Sequence, residues 1–268
     1  MLLVFLIPLL FSVHQILVRR GGEEIDTING TYLSLLASTL LFSPSLMIAE
    51  FDLSFLIPML FSGFLHFFLA RLCFYHAIQR IGVNLSSPLS ATRIYFAAVL
   101  GYLIGEFLSL KLLVMTVLIF LGIVLISNPR GEKDLVGISL GIATGFLSAL
   151  SSFLVKIGLM HVYNPFFGTF IGFLISTTLL TPIALRRDLD FRRGRFYILA
   201  GVFVGFGHLI RYICIRNLPI SIVEAVTSTY PLFTLILSYL FLREREVFSF
   251  NVILGALLII IGINVYFF

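Results

Sequence analysis

Four ionisable side chains fall inside long apolar stretches of the sequence, namely Arg71, Arg93, Arg211 and Glu224. A charge in the hydrocarbon layer of a membrane is costly, so such residues usually face a polar interior and take part in function. A guanidinium group can hold a carboxylate or a phosphate through two parallel hydrogen bonds. A cavity lined by two or three of these arginines therefore predicts an anionic ligand. The alternative is internal pairing, in which Arg211 bridges Glu224 and Arg71 extends to a membrane interface.

Two of these stretches carry polar or small residues at intervals of three and four, which places them on one helix face. The stripes are Ser86, Ser90, Arg93, Ala97 and Gly101, and Glu224, Thr227, Ser228, Pro231, Thr234 and Ser238. A proline within a helix frees a carbonyl that a substrate can use, whereas small residues can also serve close helix packing alone. Glu224 is in addition a candidate proton carrier. The predicted substrate-binding residues are Arg71, Arg93, His208, Arg211, Glu224, Thr227, Ser228, Tyr230, Pro231 and Ser90.

The sequence offers no set of residues for catalysis or metal binding. Paired carboxylates within the apolar stretches and the HExxH and GxSxG motifs are absent, so we predict neither an enzyme nor a cofactor. The histidines His14, His66, His76 and His208 could titrate near neutral pH, but a single histidine on a helix is more often a packing residue. Their spacing does not suggest a metal site.

Composition places the chain in a membrane. Of its 268 residues, 59% are hydrophobic and 12% are charged, against roughly 45–50% and about 25% in soluble domains. These values exclude a soluble enzyme, a disordered chain and a secreted disulfide scaffold. They also argue against a nucleic-acid binder despite the net charge of +5. We predict an all-α integral membrane protein.

Ten apolar segments are long enough to be membrane spans, since a helix needs about 20 residues to cross the bilayer. The predicted spans are 2–18, 31–49, 54–77, 84–104, 109–127, 135–155, 165–185, 196–215, 221–242 and 249–267. Loops after odd-numbered spans contain twelve Lys or Arg residues, and loops on the opposite side contain three. Because cytoplasmic loops are the basic ones, we predict a multi-pass protein of the cell membrane with both termini outside the cytoplasm.

The second half of the sequence repeats features of the first at an offset of 137 to 140 residues. Ser38–Pro44 matches Ser176–Pro182, Leu17-Val18-Arg19 matches Leu154-Val155-Lys156, Glu106 matches Glu244, and Gly122 matches Gly262. We therefore predict two five-helix repeats, residues 1–130 and 131–268. An odd number of spans inverts the second repeat relative to the first, which is typical of secondary transporters.

Short motifs recur near corresponding helix ends of the two halves. They are Cys214-Ile215-Arg216-Asn217-Leu218-Pro219, Tyr230-Pro231-Leu232, Glu244, Ala77-Ile78 and Gly105-Glu106, with Arg19 and Lys156 at the basic ends of helices one and six. In this order and spacing the chain resembles the drug/metabolite transporter superfamily, specifically its EamA-like members with ten helices. The chain departs from that family in having no Trp, with Phe11 and Ser148 near the expected positions.

The residues and the resemblance together predict a secondary transporter of small metabolites that works by alternating access. Its substrate is expected to be anionic or zwitterionic, such as an amino acid, an organic acid or a phosphorylated compound. The resemblance implies proton-coupled or exchange export, so the partners are a small-molecule substrate, the lipid bilayer and a coupling proton. A flippase for a lipid-linked sugar or a phospholipid is the main alternative, and an intramembrane lipid enzyme is a lesser one. A monomer and a homodimer both remain open.

Overall fold

The chain is described by a computed structural model over residues 2–103, 105, 109–126, 134–242 and 249–267, and over these residues it is all helical. The predicted motif residues Glu106 and Glu244 lie outside the described residues, as do Arg130, Lys133, Arg243 and Arg245. Thirteen α-helices are described: α1 (Leu6–Gly21), α2 (Thr27–Phe42), α3 (Leu53–Ser62), α4 (Arg71–Ile81), α5 (Val83–Ser90), α6 (Arg93–Leu103), α7 (Leu110–Ile126), α8 (Leu135–His161), α9 (Pro165–Ala184), α10 (Arg195–Asn217), α11 (Ile220–Thr227), α12 (Tyr230–Phe241) and α13 (Phe250–Phe267).

Seven helical segments are long and apolar enough to cross a membrane. They are Leu3–Gly21, Thr27–Ile48, Leu53–Ile81, Leu135–His161, Pro165–Ala184, Arg195–Asn217 and Ile220–Phe241. Each overlaps one predicted span, so the protein is a multi-pass helical membrane protein. The other three predicted spans are also helical, but they fall outside this set of seven: one is divided into α5 and α6, and the others are α7 and α13.

Several helices begin at an acidic or amide side chain that accepts hydrogen bonds from free backbone N–H groups of the first turn. Asp26 caps α2, Asp52 caps α3, Asp134 caps α8 and Asn164 caps α9. The Gly137 N–H, together with the Arg80 guanidinium, lowers the pKa of the exposed Asp134 carboxyl below its ordinary value. These caps fix where the apolar segments start, and they lie at the ends of the bundle.

Two of the predicted spans are broken near their middles. The span predicted over 84–104 consists of α5 and α6 with a turn at Ala91-Thr92, and that over 221–242 consists of α11 and α12 with a turn at Ser228-Thr229. Pro231 in the first turn of α12 has no N–H to donate and its ring would clash with a preceding helical carbonyl, so the helix restarts there. At the break between α5 and α6, the Thr92 hydroxyl donates to the Leu89 carbonyl, so a side chain takes up a backbone acceptor there. The two breaks lie at equivalent places in the sequence repeat.

Residues related by the sequence repeat make reciprocal contacts. The Ser38 hydroxyl donates to the Gly201 carbonyl at 2.8 Å, and the equivalent Ser176 hydroxyl donates to the Gly63 carbonyl at 2.9 Å. Between α2 and α9, the hydroxyl oxygens of Thr39 and its own equivalent Thr177 lie 2.8 Å apart. Reciprocal contacts of this kind are those made by two similar units facing each other across a twofold axis.

Polar contacts at the two ends of the bundle separate the connecting segments into two groups. At one end Arg80 pairs with Asp134, Arg187 with Asp26 and Arg195 with Glu24. At the other end the Asn164 amide donates to the Ile48 carbonyl, and Lys156 donates to the carbonyls of Ile215 and Leu218. Consecutive segments of the chain thus reach opposite ends of the bundle.

The reciprocal contacts leave no space for added atoms at Gly63 and Gly201. A Cβ at Gly201 would lie 2.3 Å from the Ser34 carbonyl oxygen, and one at Gly63 would lie 2.7 Å from Gly172 Cα. Because backbone atoms cannot move aside cheaply, we expect Gly63→Ala and Gly201→Ala each to lower the free energy of unfolding by about 1–3 kcal/mol. Unfolding of the purified protein by SDS, followed by circular dichroism, measures this.

The control is Leu199→Ala, which alters a half-exposed side chain on the same helix as Gly201 and should change stability by about 0.5 kcal/mol or less. Alanine variants of both glycines that are as stable as this control would contradict the close packing.

Candidate functional site

A cavity lies between α1, the π-helical turn Gly63–Ala70, α4, α6, α8 and α10. Its volume is about 40 Å³, which is room for a few water molecules. Its walls are formed by Phe11, His14, Gln15, His66, Ala70, Arg71, Phe74, Tyr75, Arg93, Thr144, Ser148, Val204 and His208. Of the ten predicted site residues, Arg71, Arg93 and His208 are among them.

Arg71 is the wall residue whose charge is least satisfied. Its side chain is buried, and its guanidinium carbon lies 5.5 Å from the ring centre of Phe67 and 5.1 Å from that of Phe173. Neither Nη1 nor Nη2 has a hydrogen-bond partner among the described residues. A buried guanidinium whose two terminal nitrogens lack partners has donors available for an anion. Arg71 therefore lies in the cavity wall and does not extend to a membrane interface.

The π-helical turn explains how Arg71 reaches the cavity. Gly63–Ala70 directly precedes Arg71, and the wider turn shifts the residues that follow it relative to a regular α-helix. The bond from Ser176 to the Gly63 carbonyl occupies a backbone acceptor at the start of this turn. The turn thereby presents His66 and Arg71 to the same cavity.

Arg93 stands at the start of α6, directly after the break in its span. It is buried, its Nη2 lies 3.5 Å from the Tyr230 hydroxyl, and its guanidinium carbon lies 5.4 Å from the Tyr230 ring centre. Its Nη1 lies 3.8 Å from Glu224 Oε2. Arg93 is thus weakly held by groups of the second half, and it lines the cavity at the same time.

Arg211 and Glu224 form a buried ion pair, which is the internal pairing that the sequence left open. Arg211 Nε and Nη2 donate to Glu224 Oε1 at 2.9 and 2.7 Å, and neither side chain is exposed. The Ser152 hydroxyl also donates to Oε1, at 2.9 Å, and contacts Arg211 Nη2. The pair lies outside the cavity wall, and its charge is largely internally compensated.

The other predicted residues lie where the two broken spans meet. The hydroxyls of Ser90 and Tyr230 are 2.6 Å apart, and the Ser228 hydroxyl donates to the Ala91 carbonyl at 3.4 Å. Thr227 is fully buried, and Pro231 is in the first turn of α12. None of these five residues lines the cavity, and of the five, Tyr230 and Ser90 contact Arg93.

Several wall residues were missed by reasoning from the sequence, above all His14, Gln15, His66 and Tyr75. His14 Nε2 lies 2.8 Å from the Tyr75 hydroxyl. Gln15 Oε1 accepts from Thr234 at 3.0 Å and from Ser87. The signal available in the sequence was the adjacent polar pair His14-Gln15 within the first apolar span, which a packing role alone does not require.

The charge of the cavity wall is positive. Its charged members are Arg71 and Arg93, and no acidic side chain lines the described part of the cavity. Within the residues that the structure describes, no group of three His, Cys, Asp or Glu side chains is placed to hold a metal ion. The charged donors of the described wall are thus guanidinium groups, which form their strongest hydrogen bonds with negatively charged acceptors.

A multi-pass helical bundle with a buried cationic cavity is the architecture of a membrane transporter. The family model of EamA-like transporters matches residues 1–128 and again residues 135–268. The chain therefore belongs to the EamA-like transporter family, and the resemblance seen in its motifs is confirmed.

Two further similarities agree with this assignment. The chain is 25% identical to an uncharacterized transporter of Archaeoglobus fulgidus over 265 residues, which cover 94% of this chain and 92% of that protein. A protein of known crystal structure shares the fold at a TM-score of 0.73 and 14% identity, covering 99% of this chain and 96% of that one.

The ion pair predicts strongly coupled stability effects. Arg211→Met or Glu224→Met alone leaves a buried charge without its partner, so each should lower the free energy of unfolding by about 3–5 kcal/mol. The double variant removes both charges and should lose clearly less than the sum of the two single losses. SDS-induced unfolding of the four proteins measures this coupling.

As a matched control, Arg187→Met breaks the exposed pair with Asp26 and should cost less than about 1 kcal/mol. Strictly additive effects of the Arg211 and Glu224 substitutions would show that the two side chains do not depend on each other.

Proposed function

We propose that the protein is a secondary transporter of small metabolite anions. The observation that carries this proposal is Arg71, a buried guanidinium in the cavity wall whose two terminal nitrogens have no hydrogen-bond partner among the described residues. An unsatisfied buried charge is expensive to keep. The carboxylate or phosphate group of a ligand would satisfy the Arg71 guanidinium, which would explain why a charged residue is kept at this buried position.

Within the broader class of anionic or zwitterionic substrates, the charge of the wall favours the anions. An amino acid carries an ammonium group, which needs a carboxylate or several carbonyl oxygens as partners. The described wall offers Arg71 and Arg93 but no acidic residue, and Glu224 is held by Arg211. Organic acids and phosphorylated compounds therefore fit better than amino acids.

The proposed mechanism is alternating access by two inverted five-helix repeats, residues 1–130 and 131–268. The reciprocal bonds Ser38–Gly201 and Ser176–Gly63 support two halves that face each other across a twofold axis. The helical segments α5–α6, α7 and α13 are proposed to complete ten crossings. Because the cavity has room for only a few waters, a metabolite requires the halves to move apart on one side at a time.

The orientation that we propose places the end of the bundle with Arg80, Arg187 and Arg195 in the cytoplasm and both termini on the other side. This follows from the excess of basic residues in those segments. The proposed location is the cell membrane, where export of the anion, either coupled to protons or by exchange, is the activity that the family resemblance suggests.

Anion binding can be measured on the purified full-length protein with two ligands of similar shape, L-lactate and L-alanine. Lactate at a hundred times its Kd should stabilise the protein by about 2.7 kcal/mol, whereas alanine at the same concentration should have little effect. In Arg71→Met the affinity for lactate should fall at least tenfold, because a charge-assisted hydrogen bond is worth about 1.5–3 kcal/mol. Thermal unfolding gives the binding, and uptake of labelled lactate into proteoliposomes gives the flux.

Arg80→Met is the control, since Arg80 pairs with Asp134 at the end of the bundle and should leave lactate binding unchanged. Oxalate and sulfate extend the ligand set to a dicarboxylate and a tetrahedral dianion. If none of the three anions binds the wild-type protein, or if Arg71→Met binds them equally well, the proposed anion site is wrong.

Orientation is tested with single cysteines in a protein whose Cys73 and Cys214 have been replaced by serine. In intact cells, a membrane-impermeant maleimide should label Glu50→Cys and Tyr163→Cys, but should label Glu23→Cys and Asp188→Cys only after the membrane is opened. The reverse pattern would invert the topology, and labelling of all four in intact cells would overturn the proposed crossings.

A further inference from the structure

Two histidines from different halves meet in the cavity wall. His66 belongs to the π-helical turn and His208 to α10, and their ring centres lie 4.6 Å apart with the planes almost perpendicular. Both side chains are more than nine-tenths buried. The Nδ1 atom of each has no hydrogen-bond partner among the described residues. Two imidazole nitrogens are therefore available to share or accept a proton.

Aromatic rings enclose this pair. The His208 ring centre lies 4.6 Å from that of Phe67, 4.9 Å from that of Phe11 and 6.1 Å from that of Phe173. The negative faces of such rings stabilise a cation that has lost its water. An imidazolium in this position would thus have partners although water is largely excluded.

The charged and titratable groups around the pair come from six helices, whereas α8 contributes the hydroxyls of Thr144 and Ser148 to the cavity wall. The charged and titratable groups are His14 from α1, Arg71 and Tyr75 from α4, Arg93 from α6, Arg211 and Tyr212 from α10, Glu224 from α11 and Tyr230 from α12. Glu224 is the only carboxylate among them, and its Oε1 already accepts from Arg211 and Ser152. The described groups around the pair therefore carry a net positive charge when no anion is bound.

We propose that the His66–His208 pair binds a proton together with the transported anion, which makes the protein a proton–anion symporter. This inference rests on the proposed anion transport and adds its coupling site. The positive charge of Arg71 and Arg93 opposes a proton on either imidazole, and a bound anion offsets that repulsion. Linkage then requires that the proton favour the anion by the same factor as the anion favours the proton.

The step involves only the transfer of a proton. A hydrated proton from the side to which the cavity is open adds to an imidazole nitrogen, the anion binds to the guanidinium groups, and both leave on the other side. Glu224 stays with Arg211 throughout. The pair of histidines is thus a positioning and proton-binding element, and Arg71 is the anion ligand.

The test is the pH dependence of anion binding between about pH 6 and pH 9, with L-lactate, oxalate and sulfate as probes because they stay fully ionised over this range. The Kd of the wild-type protein should rise with pH and approach a tenfold increase per unit. In His66→Gln, His208→Gln and the double variant the increase should fall below about twofold per unit. Isothermal titration calorimetry in buffers of different ionisation enthalpy should show uptake of nearly one proton per anion only in the wild type.

His76→Gln is the matched control, since His76 is a half-buried histidine of the same span that does not line the cavity, and it should keep the full pH dependence. Binding of an anion without proton uptake, or with the same pH dependence in the double variant, would overturn the coupling site while leaving anion transport intact. Absence of binding by all three anions would overturn the proposed function and this inference with it.

Discussion

The cost of an uncompensated charge in a medium without water is the constraint on which this protein depends. Three arginines lie deep in the bundle, and one glutamate lies beside them. Arg211 donates to that carboxylate at 2.7 Å, and Arg93 lies 3.8 Å from its second oxygen. The guanidinium of Arg71 lies over the rings of Phe67 and Phe173, and its two terminal nitrogens have no hydrogen-bond partner among the described residues. This unequal division leaves a positive cavity. Folding stability alone would be served better by an apolar residue in place of Arg71, which is why we propose that this charge binds a ligand.

Irregular backbone segments position Arg71 and Arg93 at the cavity. Arg93 begins a helix after the break at Ala91-Thr92, and Arg71 follows the π-helical turn Gly63–Ala70. Such departures leave backbone groups to be satisfied within a membrane, where they are tolerated only if protein or a water-filled cavity covers them. Here Thr92, Ser228 and Ser176 supply the hydroxyls that do so. The hydroxyl stripes in the sequence therefore have a structural purpose as well as a place near the site.

The sequence was sufficient to predict the helical segments and the position of three arginines inside them, since both follow from local hydropathy. It could not decide which arginine Glu224 would neutralise, because that choice depends on the separation of α10 and α11 after packing. The π-helical turn could not be predicted from the sequence either, because no local residue pattern indicates it. For this reason His66 was interpreted as a packing residue, although the turn directs it at His208. The polar stripe of α11 and α12 packs against α5 and the break before α6, since Ser228 donates to the Ala91 carbonyl and Ser238 to the Asn84 amide oxygen.

The contacts between equivalent residues of the two halves differ in one respect. Thr39 meets an identical residue, Thr177, but Arg93 meets Tyr230, which is its counterpart in the repeat. The scaffold is thus nearly symmetric, whereas the chemistry at its centre is not. Both arginines of the cavity wall, Arg71 and Arg93, belong to the first half, whereas the second half contributes Thr144, Ser148, Val204 and His208. The two sides of the cavity are therefore chemically unequal, because the guanidinium groups of the described wall all come from the first half.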